Sequence, residues 1–190
     1  MLEIHFSSNT SCKRQSHNNR QKGISLLEAV VAICVIGIIL AAAVPALGSW
    51  NAQQRMRSLH SGLHRQINLA RYHAMVQQKR VTLCPLSVSG SCKKDWSESI
   101  SVFIDTNGNR HLDSDEELLN TMSVPQSIKL HWRGMSPNNS MHFTPLGITL
   151  LSNGTMSLCS LRPDTRNMSL TLNPQGRATH FSRPANCPPN

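Results

Sequence analysis

The sequence predicts an α+β fold in which one long N-terminal helix packs on an antiparallel, sheet-rich head. Three observations carry that expectation. An apolar run extends from Ile24 to Val44; a stripe of Met56, Leu59, Leu63, Ile67, Ala70 and Ala74 recurs at spacings of three and four; after Gln78 the period changes from helical to alternating. Of 190 residues, a leader and a helix largely outside any core leave about 115 for a globular part, the size of one domain.

Residues 1–23 form a polar leader in which Lys13, Arg14, Arg20 and Lys22 outweigh Glu3, and the leader ends at Gly23. From Ile24 to Val44 there are 21 residues, of which only Ser25 and Glu28 are polar. At about 1.5 Å per residue, a helix of that length crosses a hydrocarbon layer of about 30 Å. A carboxylate at the centre of such a layer costs roughly 3 kcal/mol, so Glu28 calls for a partner. The positive flank places the leader in the cytoplasm and the remainder across the membrane. Ala41 to Ala43 also offers an A-x-A site for ordinary signal peptidase, but a glutamate inside the apolar region and the length of the run argue against a discarded secretion signal.

The order of short basic leader, glycine, hydrophobic residue, glutamate at the fifth mature position and long apolar helix resembles the class III signal of type IV pilins and pseudopilins. The resemblance implies that prepilin peptidase cuts after Gly23 and methylates the new amino terminus at Ile24, where the family usually has Phe. It also implies that Glu28 pairs with the terminal ammonium of a neighbouring subunit during filament assembly. Two charges that are each costly in hydrocarbon become tolerable together, so pairing couples assembly to partner choice.

Past Pro45, expected to kink the helix, the apolar stripe faces inward. Arg55, Arg57, His60, His64, Arg65 and Arg71 occupy the remaining faces. His60 and His64 stand four apart, but no third metal ligand is suggested. Short strands are expected at 80–83, 100–104, 118–124, 128–132, 141–144, 155–161, 168–172 and 177–181, each bounded by Gly, Pro, Asn or Ser.

Charge is unevenly spread along the chain, whose formal net charge is +9. No acid occurs from Ala29 to Lys94; seven acids then fall between Asp95 and Glu117, and after Glu117 the sole acid is Asp164. A one-sided basic surface attracts phosphates or anionic lipid, although many such surfaces are simply solvated. Within the acidic stretch, Asp105 to Glu116 places oxygen-bearing side chains at loop positions 1, 3, 5, 9 and 12, as a calcium loop does. Position 6 is Arg110 instead of Gly and the flanks read as strands, so a turn at Asn107-Gly108 explains the same residues without an ion.

Six cysteines sort by compartment. Cys12 lies in the leader and Cys34 in the membrane helix, where it acts as a small apolar residue. Cys84, Cys92, Cys159 and Cys187 face the oxidising side, where disulfides persist. They allow three pairings, and spacing alone does not choose. Cys84 with Cys92 and Cys159 with Cys187 are favoured because each closes a local loop, worth roughly 2.5 and 3.5 kcal/mol by chain entropy.

Further motifs follow in order: Arg80-Val81-Thr82-Leu83-Cys84-Pro85, Val102-Phe103-Ile104-Asp105, Phe143-Thr144-Pro145-Leu146-Gly147, Asn153-Gly154-Thr155 and Pro174-Gln175-Gly176-Arg177. Together they resemble the FimT/FimU minor pilins, which share a domain with the H-type pseudopilin of type II secretion. The FimT branch is associated with DNA capture in natural transformation and carries Gly-Arg-x-Arg near its C-terminus. This chain has Gly176 and Arg177 but Thr179 at the second arginine position. Arg162, Arg166 and Arg183 are candidates to complete a DNA-binding set with Arg177. Such contacts would read phosphates, without sequence preference, and Phe181 is the one aromatic residue of the tail.

The resulting expectations are a pilin-like organisation with leader 1–23, transmembrane helix 24–45, amphipathic helix 46–76 and β-rich head 77–190. The expected role is that of a minor pilin in a type IV pilus, assisting assembly and DNA uptake. The alternatives are a purely structural minor pilin or an H-type pseudopilin of protein secretion. Expected partners are other pilins, prepilin peptidase, the inner membrane and double-stranded DNA. No cofactor is called for, and no nucleophile elbow, metal-ligand spacing or phosphate loop suggests an enzyme. The head is expected in the periplasm, and later on the fibre at the cell surface.

Overall fold

The computed structural model describes residues 25–135, 139–180, 185 and 187–188. Gly23 and Ile24 of the expected cleavage site lie outside these residues, as do Phe181 and Arg183. The chain divides into two units between Ala42 and Ala43, and helix α1, Leu26–Gln77, contributes to both.

In the first unit, every side chain from Ser25 to Ala41 is exposed. These residues belong to a helix long and apolar enough to cross a membrane. The isoleucines and valines of this stretch, core residues by type, are thus exposed within the chain.

In the second unit, the expected stripe is the buried face of α1: Met56, Leu63, Ile67, Ala70 and Ala74 are at most 1% exposed, and Leu59 is 5% exposed. The buried face is wider than the stripe. His60, expected on the polar side, is 3% exposed, and Gln66 is also buried. Both neighbour the stripe on the helical surface, at positions an apolar face more than one residue wide must cover. Pro45 falls within α1, which continues to Gln77. The helix ends at Gln78, whose left-handed φ of 53° turns the chain and whose Nε2 donates to the Met75 carbonyl at 2.7 Å. It thereby caps a carbonyl that a terminal glycine motif would otherwise serve.

Eight strands follow: β1 Val81–Cys84, β2 Ser99–Ile104, β3 Leu118–Ser123, β4 Ile128–Gly134, β5 Met141–Phe143, β6 Gly154–Ser160, β7 Met168–Leu172 and β8 Ala178–His180. All eight expected segments are strands, with ends shifted by a residue or two where ladders stop pairing. They form two four-stranded sheets with orders β3-β2-β1-β5 and β4-β6-β7-β8, and every pairing is antiparallel. One core joins α1 to both sheets, with Val81, Leu83, Ile100, Val102 and Phe143 from the first and Leu130, Trp132, Met156, Leu158 and Leu170 from the second.

β4 reads buried and exposed by turns, as a strand with one wet face should. β1 is instead buried along its whole length, and β2 nearly so. Their second face carries Thr82, Cys84, Ser101 and Phe103, all buried. Disulfides join Cys84 to Cys92, with 5.6 Å between Cα atoms, and Cys159 of β6 to Cys187, with 5.7 Å. The first closes the loop after β1; the second ties the C-terminal tail to β6.

Candidate functional site

Of the arginines singled out in the sequence, Arg162 and Arg166 do not share a patch with Arg177. Arg162 and Arg166 sit in the loop between β6 and β7, beside the early turns of α1 in the second unit. The Arg166 amide donates to the Gln53 side-chain oxygen at 3.0 Å. Arg162 reaches Gly48: a Cβ built on that glycine would lie 3.7 Å from its Nη2. Arg177 stands at the other end of β7, in the turn to β8, where Ala178 pairs with Leu172. That turn packs near the far end of α1. A Cβ on Gly176 would strike the Gly147 carbonyl oxygen at 2.2 Å, and the same carbonyl accepts from Arg71 Nε at 3.0 Å. Gln53 and Arg71 are 18 positions apart in α1, which is about 27 Å of helix. Arg183, the fourth, lies outside the described residues.

Local geometry explains each placement. The turn carrying Arg177 is closed by Gly176 amide to Asn173 carbonyl at 3.0 Å and by Arg177 amide to Asn173 Oδ1 at 2.8 Å. Gly176 has φ of +74° and cannot accept a Cβ without displacing Gly147. This leaves the Arg177 side chain exposed. Thr179, at the second arginine position of the motif, is half-buried and donates to the Thr171 carbonyl at 3.3 Å. Its hydroxyl thus serves the sheet. Arg162 pairs with Asp164 at 3.3 Å, both partly exposed, a contact worth little in stability but enough to offset one charge.

Sequence reasoning missed the company Arg166 keeps. Ser49, Trp50, Gln53, Arg57, Asp164 and Arg166 line an open cavity of about 360 Å³. Trp50 is 62% exposed and Leu47 61%. The signal was present as the pair Trp50 and Arg57 early in the amphipathic helix, but nothing in the sequence brings residues 162–166 beside them.

Several side-chain oxygens of the loop between β2 and β3 are engaged within the loop. Asp113 Oδ2 accepts from Asn107 Nδ2 at 2.8 Å and Asn109 Nδ2 at 2.9 Å, and these bonds hold its carboxyl below the usual carboxylate range. Glu116 Oε1 accepts the Thr106 amide at 2.7 Å. Gly108 has φ of +75°, and a Cβ there would overlap the Arg80 guanidinium. Asp105 is fully buried and accepts from Thr82 Oγ1 at 2.6 Å. Near it His142, the cross-strand partner of Thr82, shares a hydrogen bond of 2.6 Å with Ser152 Oγ. Burial, then the nearby charges of Arg80 and Arg110, lower the His142 pKa, with Asp105 acting in the opposite sense. Among the described residues no three His, Cys, Asp or Glu side chains converge as a metal site. His64, one of the pair considered for a metal, has both ring nitrogens engaged, Nε2 with the Ala178 carbonyl at 3.3 Å and Nδ1 with Asn68 at 3.0 Å.

Comparison with known proteins adds to this geometry. The family model of the type II transport protein GspH matches residues 61–176, and that of the prokaryotic N-terminal methylation motif matches residues 18–44. Among solved structures, the type IV minor pilin FimU of Pseudomonas aeruginosa strain PAO1 is 17% identical and covers 70% of this chain and 92% of its own, with a TM-score of 0.52. The minor pseudopilin EpsH from the type 2 secretion system of Vibrio cholerae is 10% identical and covers 67% of this chain and 96% of its own, with a TM-score of 0.48. At such identity the FimU likeness shows the fold. No protein of curated function matches the sequence.

Proposed function

The chain belongs to the GspH family of minor pilins and pseudopilins, and from that premise we propose that it is a minor subunit of a type IV pilus, held as a single-pass inner-membrane precursor with its head in the periplasm. The observation that carries this reading is the union of a methylation-type N-terminus with a head of the GspH family on one helix. Prepilin peptidase removes residues 1–23 after Gly23 and methylates Ile24; residues 24–45 form the transmembrane helix, 46–76 its amphipathic continuation and 77–190 the head. Glu28, on the exposed part of α1, pairs with the terminal ammonium of an adjoining pilin. The role is one of assembly, without catalysis.

Mass spectrometry of the chain purified from membranes tests the proposal. The expected N-terminus is a methylated Ile24, and a start after Ala43 would overturn the reading.

A second reading, DNA capture for transformation, rests on the exposed side chain of Arg177 directly after Gly176. Arg177 is the primary contact in this reading. Arg162 and Arg166 would meet the duplex about 27 Å away along α1, and Arg183 remains a sequence-level candidate. The purely structural pilin and the secretion pseudopilin share the anchor and head but need no duplex. Loss of transformation with intact protein secretion in a deletion strain favours the pilus; the reverse favours secretion.

A further inference from the structure

We infer that the surface made by Trp50, Arg57 and Arg166 docks on the anionic phospholipid headgroups of the membrane that holds the anchor, an inference that rests on the membrane-anchor reading of residues 24–45. Of the three tryptophans, Trp96 and Trp132 are 1% and 9% exposed, whereas Trp50 is 62% exposed, beside the equally exposed Leu47. An indole with an apolar body and one polar edge is the side chain most at home between headgroup and acyl chain. Trp50 follows Val44, the end of the apolar run, by six positions in the same helix, about 9 Å of rise, which keeps it within reach of the headgroup layer.

The charges beside it suit phosphate. Arg57 and Arg166 line the same open cavity as Trp50 and are both exposed. Asp164 also lines it, but its carboxylate is engaged by Arg162, which leaves the other two guanidinium groups as the excess charge. Guanidinium forks match phosphate oxygens. The Gln53 side chain holds the Arg166 backbone at 3.0 Å, so the loop is positioned before any ligand arrives. Exposed Leu47 and Trp50 next to paired cations fit a surface that is anionic outside and apolar beneath. A duplex presents phosphate without the apolar layer.

The test uses the full mature chain in nanodiscs of phosphatidylcholine alone or with phosphatidylglycerol, and reads acrylamide quenching of Trp50 with a Trp50→Phe variant as background. Phosphatidylglycerol is expected to shield Trp50, with a docking constant that falls about fivefold for each of Arg57→Gln and Arg166→Gln. Near-ultraviolet circular dichroism of the buried Trp96 and Trp132 checks that these variants stay folded. Equal quenching in both lipids, or no effect of the two substitutions, overturns the inference while leaving the anchor intact. Failure of the chain to stay with nanodiscs of either composition overturns the anchor reading instead. Equal shielding in phosphatidylcholine discs by inorganic phosphate would assign the pocket to a free anion, and shielding there by a short duplex would assign it to DNA; either result overturns the lipid assignment.

Discussion

The side-chain oxygen of Gln53 accepts the backbone amide of Arg166 at 3.0 Å, across 113 residues of sequence. One hydrogen bond thereby fixes the loop between β6 and β7 against α1 and sets Arg166 beside Arg57 and Trp50. Gln53→Ala should release that loop. The expected cost is about 1 kcal/mol, as for a partly exposed hydrogen bond. The checks are a lower urea midpoint at unchanged slope and a gain in mobility at residues 162–166 by amide exchange.

Arg166 and Arg177 occupy opposite ends of β7, so their effects on any duplex binding should be independent. Arg177→Ala is expected to weaken binding alike across sequences and to lower the salt slope by about one. The double substitution with Arg166→Ala should equal the sum of the singles within about 0.5 kcal/mol. A salt-dependent titration of the mature chain in detergent measures both. No binding at low salt would leave the assembly role alone.

Thr82 and Asp105 are both fully buried, and the Thr82 hydroxyl serves one carboxylate oxygen at 2.6 Å. Thr82→Val keeps the shape and removes the donor. It should cost about 2 kcal/mol, because a buried carboxyl oxygen loses a donor that water cannot replace. Thermal unfolding of Thr82→Val beside Thr82→Ser separates the hydroxyl from the methyl.

His142 gives the fold a pH dependence with a definite sign. Burial first, then Arg80 and Arg110, hold its folded pKa below the ordinary 6.5. The unfolded chain therefore takes up a proton at higher pH than the folded one, so this group's contribution is complete above about 6.5 and declines as pH falls toward the folded pKa. His142→Gln should flatten that segment of the curve. Melting temperatures at pH 7.5 and 5.5 for both chains provide the comparison; an equal drop in the variant would assign the effect elsewhere.

The two disulfides close loops of different length, with sequence separations of 8 and 28. Paired serine substitutions should cost roughly 2.5 kcal/mol for Cys84 and Cys92 and roughly 3.5 kcal/mol for Cys159 and Cys187. Denaturant unfolding of the two double variants ranks them. Loss of the second should also leave residues 185–188 open to proteolysis, since Cys187 ties the tail to β6.

The sequence by itself determined the local elements. The membrane-length apolar run, the helical stripe from Met56 to Ala74 and the positions of all eight strands were legible, because hydrophobic period and turn residues act over short distances. The six-residue stripe was too narrow at His60, Gly62 and Gln66, where helical neighbours of the apolar residues are buried with them. Tertiary structure decided what touches what. It divided the strands between two sheets, covered both faces of β1 so that Thr82 and Asp105 are buried beside a half-buried His142, and set Arg166 apart from Arg177. The physical reason lies in β7: five residues of extended chain carry their two ends roughly 17 Å apart, so Arg166 and Arg177, close in sequence, belong to opposite ends of the head. The Gln53 contact instead joins Arg166 to Trp50 and Arg57, which sequence separates by more than a hundred residues.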